Sequence, residues 1–224
     1  NNGNIGDWQG HGLPDGVVYV NMFGNPADYT RLKKYCDTHK IPLIEDAAQS
    51  QGAVHGKTPS GAMGDISVFS FDPMKNMPSF GGGGMVLTDS KEAHDTVMSL
   101  RRHGKGGKHT YGYNSLISED HSNQLLLLLT KFDRLQKMRE KVCTRYKKNI
   151  PEVQIICAGP KTKSSNHKLV ILTDRRDELK KYLETKGIET KIHYAKTLDT
   201  QNVGSYPNAE KICAKALSLP IYPH

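Results

Sequence analysis

A chain of 224 residues with 36% hydrophobic and 24% charged residues can bury a core, which excludes a disordered role and suits one large domain with a smaller appendage. Its formal net charge of +8 attracts phosphates, but the lysines and arginines are spread along the chain, which argues against a nucleic-acid partner. The longest purely apolar run, Leu125 to Leu129, is too short to span a bilayer, so no membrane partner is expected. Cys36, Cys143, Cys157 and Cys213 form no C-x-x-C pair and have no metal-ligand spacing with histidine, so the expectation is a reduced cytoplasmic chain without a metal. No signal peptide opens the chain, and its start at Asn1 and abrupt stop at His224 read as truncation at both ends.

In chain order, residues 17–22 (VVYVNM) read as a strand. Asn25 and Pro26 suit an N-cap and first helical position, with a helix to about His39 that turns Leu32 and Tyr35 inward. Residues 41–45 (IPLIE) read as a buried strand, which completes a β-α-β unit and predicts a parallel sheet. Further strands are expected at 66–71 (ISVFSF) and 84–88 (GMVLT). Ser90 can cap a helix to about Arg102, and Ser118 can open a long helix over 119–149. Leu125, Leu128, Phe132, Leu135 and Met138 recur there at helical spacing and read as core. Near Pro151 the pattern changes to a small α+β unit. Strands are expected at 153–157, 168–173 and 188–193, with a helix capped by Asp174 and ending near Gly187, and a last helix over about 207–217. The domain boundary is placed at about 150. The glycine-rich stretch Gly104 to Thr110 does not have the spacing of a phosphate-binding P-loop.

Three segments stand at the ends of predicted strands, where α/β sheets bind ligands. They are Glu45-Asp46-Ala47-Ala48-Gln49, then Phe69-Ser70-Phe71-Asp72-Pro73-Met74-Lys75-Asn76, then the tetraglycine Gly81 to Gly84. Each has a plainer reading by itself. Asp46 could form an ion pair or cap a helix, since a buried carboxylate needs a partner. Lys75 could be an ordinary solvated lysine, Ser70 a backbone-bonded hydroxyl, and the glycines a flexible turn.

Taken in order, E-D-A-A-Q, F-S-F-x-P-x-K-N and G-G-G-G-M resemble the core of the DegT-type sugar aminotransferases, a family of fold-type I enzymes dependent on pyridoxal 5'-phosphate (PLP). The resemblance extends to Tyr19–Asp28, Arg101–Gly104, Gly112-Tyr113-Asn114, Ile192-His193-Tyr194 and Tyr206–Pro223. It implies an α/β fold with a mostly parallel sheet flanked by helices, with a PLP-binding large domain over 1–150 and a small α+β domain over 151–224. It also implies residue roles. Lys75 would hold PLP as a Schiff base and then move protons, because only an amine can do the first and a desolvated amine does it best. Asp46 would pair with the pyridine nitrogen and keep the ring an electron sink. Gln49 would reach the side of the ring bearing the 3-hydroxyl, and Ser70 the phosphate. Asn114 would reach the phosphate of a neighbouring subunit in a homodimer with shared sites, and His193 would contact substrate.

The implied reaction passes an amino group from a donor such as glutamate to a nucleotide-linked keto-sugar. This chain departs from the family pattern where Leu116 stands in place of an arginine, and where the opening segment that helps cradle the phosphate would lie. Two alternatives accompany the reading. One is a related sugar dehydratase, in which histidine replaces the lysine. The other is a non-catalytic remnant.

Overall fold

A computed structural model describes residues 12–107, 111–197 and 206–222. The backbone divides into two compact units, residues 1–132 with 158–165 and residues 133–157 with 166–224.

The first unit is built on a four-stranded sheet. It contains β1 (Val17–Val20), α1 (Tyr29–His39), β2 (Leu43–Asp46), a hairpin of β3 (Val54–His55) and β4 (Thr58–Pro59), β5 (Ile66–Ser70), β6 (Gly84–Thr88), α2 (Lys91–Leu100) and α3 (Glu119–Leu129). The sheet order is β1-β2-β5-β6. The first three strands run parallel and β6 closes the edge antiparallel. The mostly parallel sheet expected from the β-α-β pattern is therefore present.

Period-2 alternation decides what each face of this sheet carries. Tyr19, Glu45 and Ser67 are partners across β1, β2 and β5. They look toward a core of Tyr19, Cys36, Ile41, Leu43 and Met63, against which Leu32 and Tyr35 of α1 pack as expected. Phe69 shares this face and joins Phe71, Met77, Leu125, Leu128 and Phe132 in a second cluster. The opposite face carries Val18, Val20, Asp46, Val68, Ser70 and Val86. Val18 is 62% exposed and Val20 39%, an unusual condition for parallel strands, which are ordinarily covered on both sides.

Several local expectations are corrected. Asn25 does not cap α1. It closes a short 3-10 turn at Met22–Gly24, and Asn21 Oδ1 accepts from Ala27 N at 3.1 Å, so 22–28 is held as a loop and the helix begins at Tyr29. The long helix over 119–149 is two helices, α3 and α4 (Phe132–Asn149). Thr130 Oγ1 donates to Leu127 O at 2.7 Å and Lys131 N to Leu128 O at 2.9 Å, a tightened turn that stops the α-helical ladder. Ser90 and Ser118 do cap their helices, accepting from Ala93 N and His121 N.

The second unit holds α4 from Asp133 onward, β7 (Gln154–Ile155), β9 (Leu169–Leu172), α5 (Arg176–Thr185), α6 (Pro207–Lys215) and β10 (Ala216–Leu219). β8 (Thr162–Lys163) pairs with β3 in the first unit. The second sheet is antiparallel, in the order β10-β9-β7. Its core is Cys143, Leu169, Ile171, Leu217 and Ile221, with Val142 and Tyr146 of α4 against it. That packing is why α4 falls in this unit, where the sequence suggested a division near 150.

The last helix ends at Lys215 and not at 217, because Leu217 is drawn wholly into the core as part of β10 and Pro220 favours extended backbone before it. The strand expected at 188–193 is reduced to one bridge, Lys191 to Ser218. Of its two isoleucines, Ile192 packs on the core and Ile188 stays exposed.

Candidate active site

Asp46 ends β2 and Ser70 ends β5, its parallel neighbour. Asp46 is paired with Val68, so Ser70, two residues on, points to the same face. Both therefore stand at the carboxyl ends of parallel strands, the end at which open α/β sheets take ligands.

Asp46 is half-buried. Its Oδ1 accepts from Ala48 N at 3.0 Å, and no lysine or arginine pairs with it among the described residues. The ion pair that its burial suggested is not made, and one oxygen is left uncommitted. Ser70 Oγ accepts from Asp72 N at 3.3 Å, which leaves its proton available.

Lys75 lies in the turn that follows β5. Lys75 N donates to Asp72 O at 2.9 Å, Asp72 Oδ1 accepts from Met74 N at 2.9 Å, and Ser79 N donates to Phe71 O at 2.8 Å. Next to it, the buried Asn76 anchors the turn by donating Nδ2 to Ser165 O at 2.9 Å. The half-buried ammonium of Lys75 makes no hydrogen bond or ion pair among the described residues. The tetraglycine joins the same turn: Phe71 N donates to Gly83 O at 2.9 Å and Ser79 Oγ to Gly82 O at 2.5 Å. Gly82 and Gly83 have φ of +79° and +143°, conformations that favour glycine.

Gln49 is anchored by its amide, with Oε1 accepting from Phe23 N at 2.9 Å. Asn114 is exposed on a loop tied back to the end of α2. Tyr113 N donates to Leu100 O at 2.7 Å, His103 N to Tyr113 O at 3.1 Å, and Ser115 N to Arg101 O at 3.1 Å. Asp46, Gln49, Ser70, Lys75 and Asn114 thus all belong to the first unit, whereas His193 belongs to the second. Burial, aided by Lys168 and Lys191, lowers the His193 pKa to about 4. Its ring is therefore neutral at pH 7.

One residue was quoted in the sequence but given no role. Glu45 is wholly buried, yet among the described residues no cation pairs with it. Its oxygens accept from five residues instead. Oε1 takes Asn21 Nδ2 at 2.8 Å, Ser60 Oγ at 2.7 Å and Gly61 N at 3.1 Å. Oε2 takes Gly61 N at 3.0 Å, Met63 N at 3.1 Å and Ser67 Oγ at 2.8 Å. Charge-assisted bonds of this kind are worth about 1.5–3 kcal/mol each, enough together to offset the desolvation of a buried carboxylate. Burial and the nearby Glu45 charge push the Tyr19 hydroxyl far above its ordinary range. The available signal was the acid pair itself. Two adjacent acids at the end of an apolar strand must face opposite sides, so one of them enters the core.

Comparison with known proteins then settles the lineage. Residues 13–224 match the profile of the DegT/DnrJ/EryC1/StrS aminotransferase family. The chain belongs to that family. It is 33% identical over 222 residues to the dTDP-3-amino-3,4,6-trideoxy-alpha-D-glucose transaminase of Streptomyces venezuelae, a match covering 93% of this chain and 59% of that one. Among solved structures it superposes on a DegT DnrJ EryC1 StrS aminotransferase from Brucella abortus with a TM-score of 0.86 at 30% identity, covering 92% of this chain and 59% of the other. It superposes equally well, at 0.86 and 32% identity, on S. venezuelae DesV solved with a ketimine intermediate, covering 92% and 60%. The chain therefore spans about 60% of the length of these relatives. Among the described residues no helix is long and apolar enough to cross a membrane, and no three metal-ligating side chains gather.

Proposed function

We propose that this chain carries the cofactor-holding residues of a PLP-dependent aminotransferase that acts on a nucleotide-linked keto-sugar, with an amino acid such as glutamate as donor. One observation carries the reading. Asp46 and Ser70 share one face at the carboxyl ends of adjacent parallel strands, Lys75 follows in the next turn, and among the described residues none of the three side chains is committed to another side chain.

This donor set fits PLP. An amine can hold the aldehyde carbon, a carboxylate can pair with the pyridine nitrogen, and a hydroxyl can donate to the phosphate. When bound, the cofactor supplies an electron sink for the carbanion formed at a substrate carbon. The protein supplies the rest. Lys75 takes the α-proton of the donor amino acid and returns a proton as its amine cycles between base and acid. Asp46 keeps the ring nitrogen protonated, and Ser70 fixes the phosphate end. Gln49 reads the side of the ring that bears the hydroxyl.

Asn114 serves a neighbouring copy in a homodimer with shared sites. Its loop is suited to meeting another surface, since Tyr113 beside it is 70% exposed and Leu116 is also exposed. His193 contacts the substrate as a neutral ring. The nucleotide-sugar class follows from the Streptomyces relative, whose name specifies a dTDP-sugar, and a cytoplasmic site of action suits such soluble metabolites. Lysine at position 75, where the dehydratase branch has histidine, argues against that alternative.

The exposed valines on the Asp46 face favour a second reading, a folded module that takes up PLP without turning over. The test is to titrate PLP into purified protein and follow its absorbance, then add glutamate. Conversion of the bound chromophore to the amine form supports the transferase. A bound chromophore that glutamate leaves unchanged supports the module, and no bound chromophore removes both.

A further inference from the structure

The hydrogen-bond net around Glu45 reaches every segment that brackets Asp46–Gln49. Asn21, which donates to Glu45, immediately precedes the turn whose Phe23 N holds the Gln49 amide. Asn21 Nδ2 also donates to Ser50 Oγ at 3.2 Å, and Ser50 Oγ lies 2.5 Å from Ser60 Oγ, a second donor to the acid. Gly61 and Met63 bring in the segment after β4, and Ser67 brings in β5. The Glu45 carboxylate is thus the common acceptor of three separate stretches of chain, at Asn21, Ser60–Met63 and Ser67, and its neighbour Asp46 projects from the opposite face.

We infer that Glu45 is a positioning residue, whose buried carboxylate fixes the Asp46–Gln49 segment in the orientation that presents Asp46 to the cofactor ring. This rests on the reading of Asp46 and Lys75 given above. The chemistry of the net demands a carboxylate. Gly61 N and Met63 N can only donate, and Asn21 uses its amide nitrogen, so both oxygens of residue 45 must accept. Glutamine would turn an NH2 toward one set of these donors and could satisfy only the other. Aspartate would keep both acceptors but stop one methylene short of them.

The experiment compares Glu45→Gln with Leu43→Ala. Leu43 is wholly buried on the same strand and face, and its truncation weakens the core without removing any of the acid's donors. Both variants are expected to melt earlier than the wild type. In the apo-proteins, hydrogen–deuterium exchange over residues 46–63 rises at least tenfold above the change elsewhere in E45Q, but not in L43A. With PLP, the dissociation constant rises at least tenfold and the pH midpoint of the bound chromophore moves by a unit or more in E45Q, while L43A keeps the wild-type midpoint. Glu45→Asp recovers part of each loss. If E45Q matches L43A in exchange pattern and midpoint, the residue is only structural and the inference falls. If wild-type protein takes up no PLP on Lys75, the site reading fails, and the exchange pattern alone decides: a selective rise over 46–63 upholds the positioning, a uniform rise overturns it. Should E45Q fail to fold, Ser67→Ala removes a single donor and must show the same selective rise at smaller amplitude; an unchanged pattern overturns the inference.

Discussion

Asp46 and Ser70 end two hydrogen-bonded parallel strands on the same face of the sheet, with Asp46 in register with Val68, two residues before the serine. This pairing places an acid and a hydroxyl on one face at the end of the sheet where ligands bind, and among the described residues no lysine or arginine pairs with the acid. Asp46→Asn keeps the shape and the bond from Ala48 N but removes the charge. Loss of one charge-assisted hydrogen bond of about 2 kcal/mol weakens PLP binding roughly thirtyfold. Fluorescence titration with PLP measures this, and an unchanged dissociation constant removes Asp46 from the cofactor.

The loop that carries Asn114 depends on Gly112. A β-carbon there would lie 2.3 Å from Gly104 N and 2.5 Å from Leu100 O, both backbone atoms that cannot swing aside. Gly112→Ala is expected to cost about 1–3 kcal/mol, as overpacking usually does, and to displace the loop. Thermal unfolding checks the first effect. Light scattering checks the second, with a shift toward monomer expected if Asn114 lies at a subunit contact.

Shared sites make a sharper prediction. Lys75→Ala and Asn114→Ala should each be inactive. When the two are unfolded and refolded together, about half of the dimers are mixed, and each mixed dimer holds one intact site, so about one quarter of wild-type activity returns. No recovery from two inactive variants would mean that each subunit completes its own site, and an Asn114→Ala protein that is active by itself would remove Asn114 from the site.

His193 gives the second unit a pH dependence. Its folded pKa of about 4 lies below the ordinary 6.5, so the unfolded chain binds the proton more readily than the folded one. Its contribution to stability is complete above pH 6.5 and declines as the pH falls toward 4. Melting temperatures recorded over that window should fall less steeply for His193→Gln than for the wild type. Equal slopes would show that the ring is not desolvated.

Much of this molecule was legible in the sequence because its strands alternate and because α2 and α3 are capped by serines. VVYV, IPLIE and ISVFSF announced a parallel sheet, and Ser90 and Ser118 marked helix starts that proved to be real caps. The residues from Asp46 to Lys75 were legible as a string, since they fall at strand ends. What escaped was set by contacts distant in sequence. β10 begins where the end of the last helix was expected because β9 offers it an antiparallel partner and a buried place for Leu217. Glu45 was invisible as an anchor because its donors lie 15 to 24 residues away in sequence. The two-residue strands β3, β4 and β8 are likewise too short to show alternation.

The central claim is that Lys75 holds the cofactor. Purified protein is incubated with PLP, reduced with borohydride, digested and mapped by mass spectrometry. The account predicts a single phosphopyridoxyl group on the peptide containing Lys75, and its loss in Lys75→Ala. Equal labelling scattered over surface lysines, or a label that persists in Lys75→Ala, would contradict it.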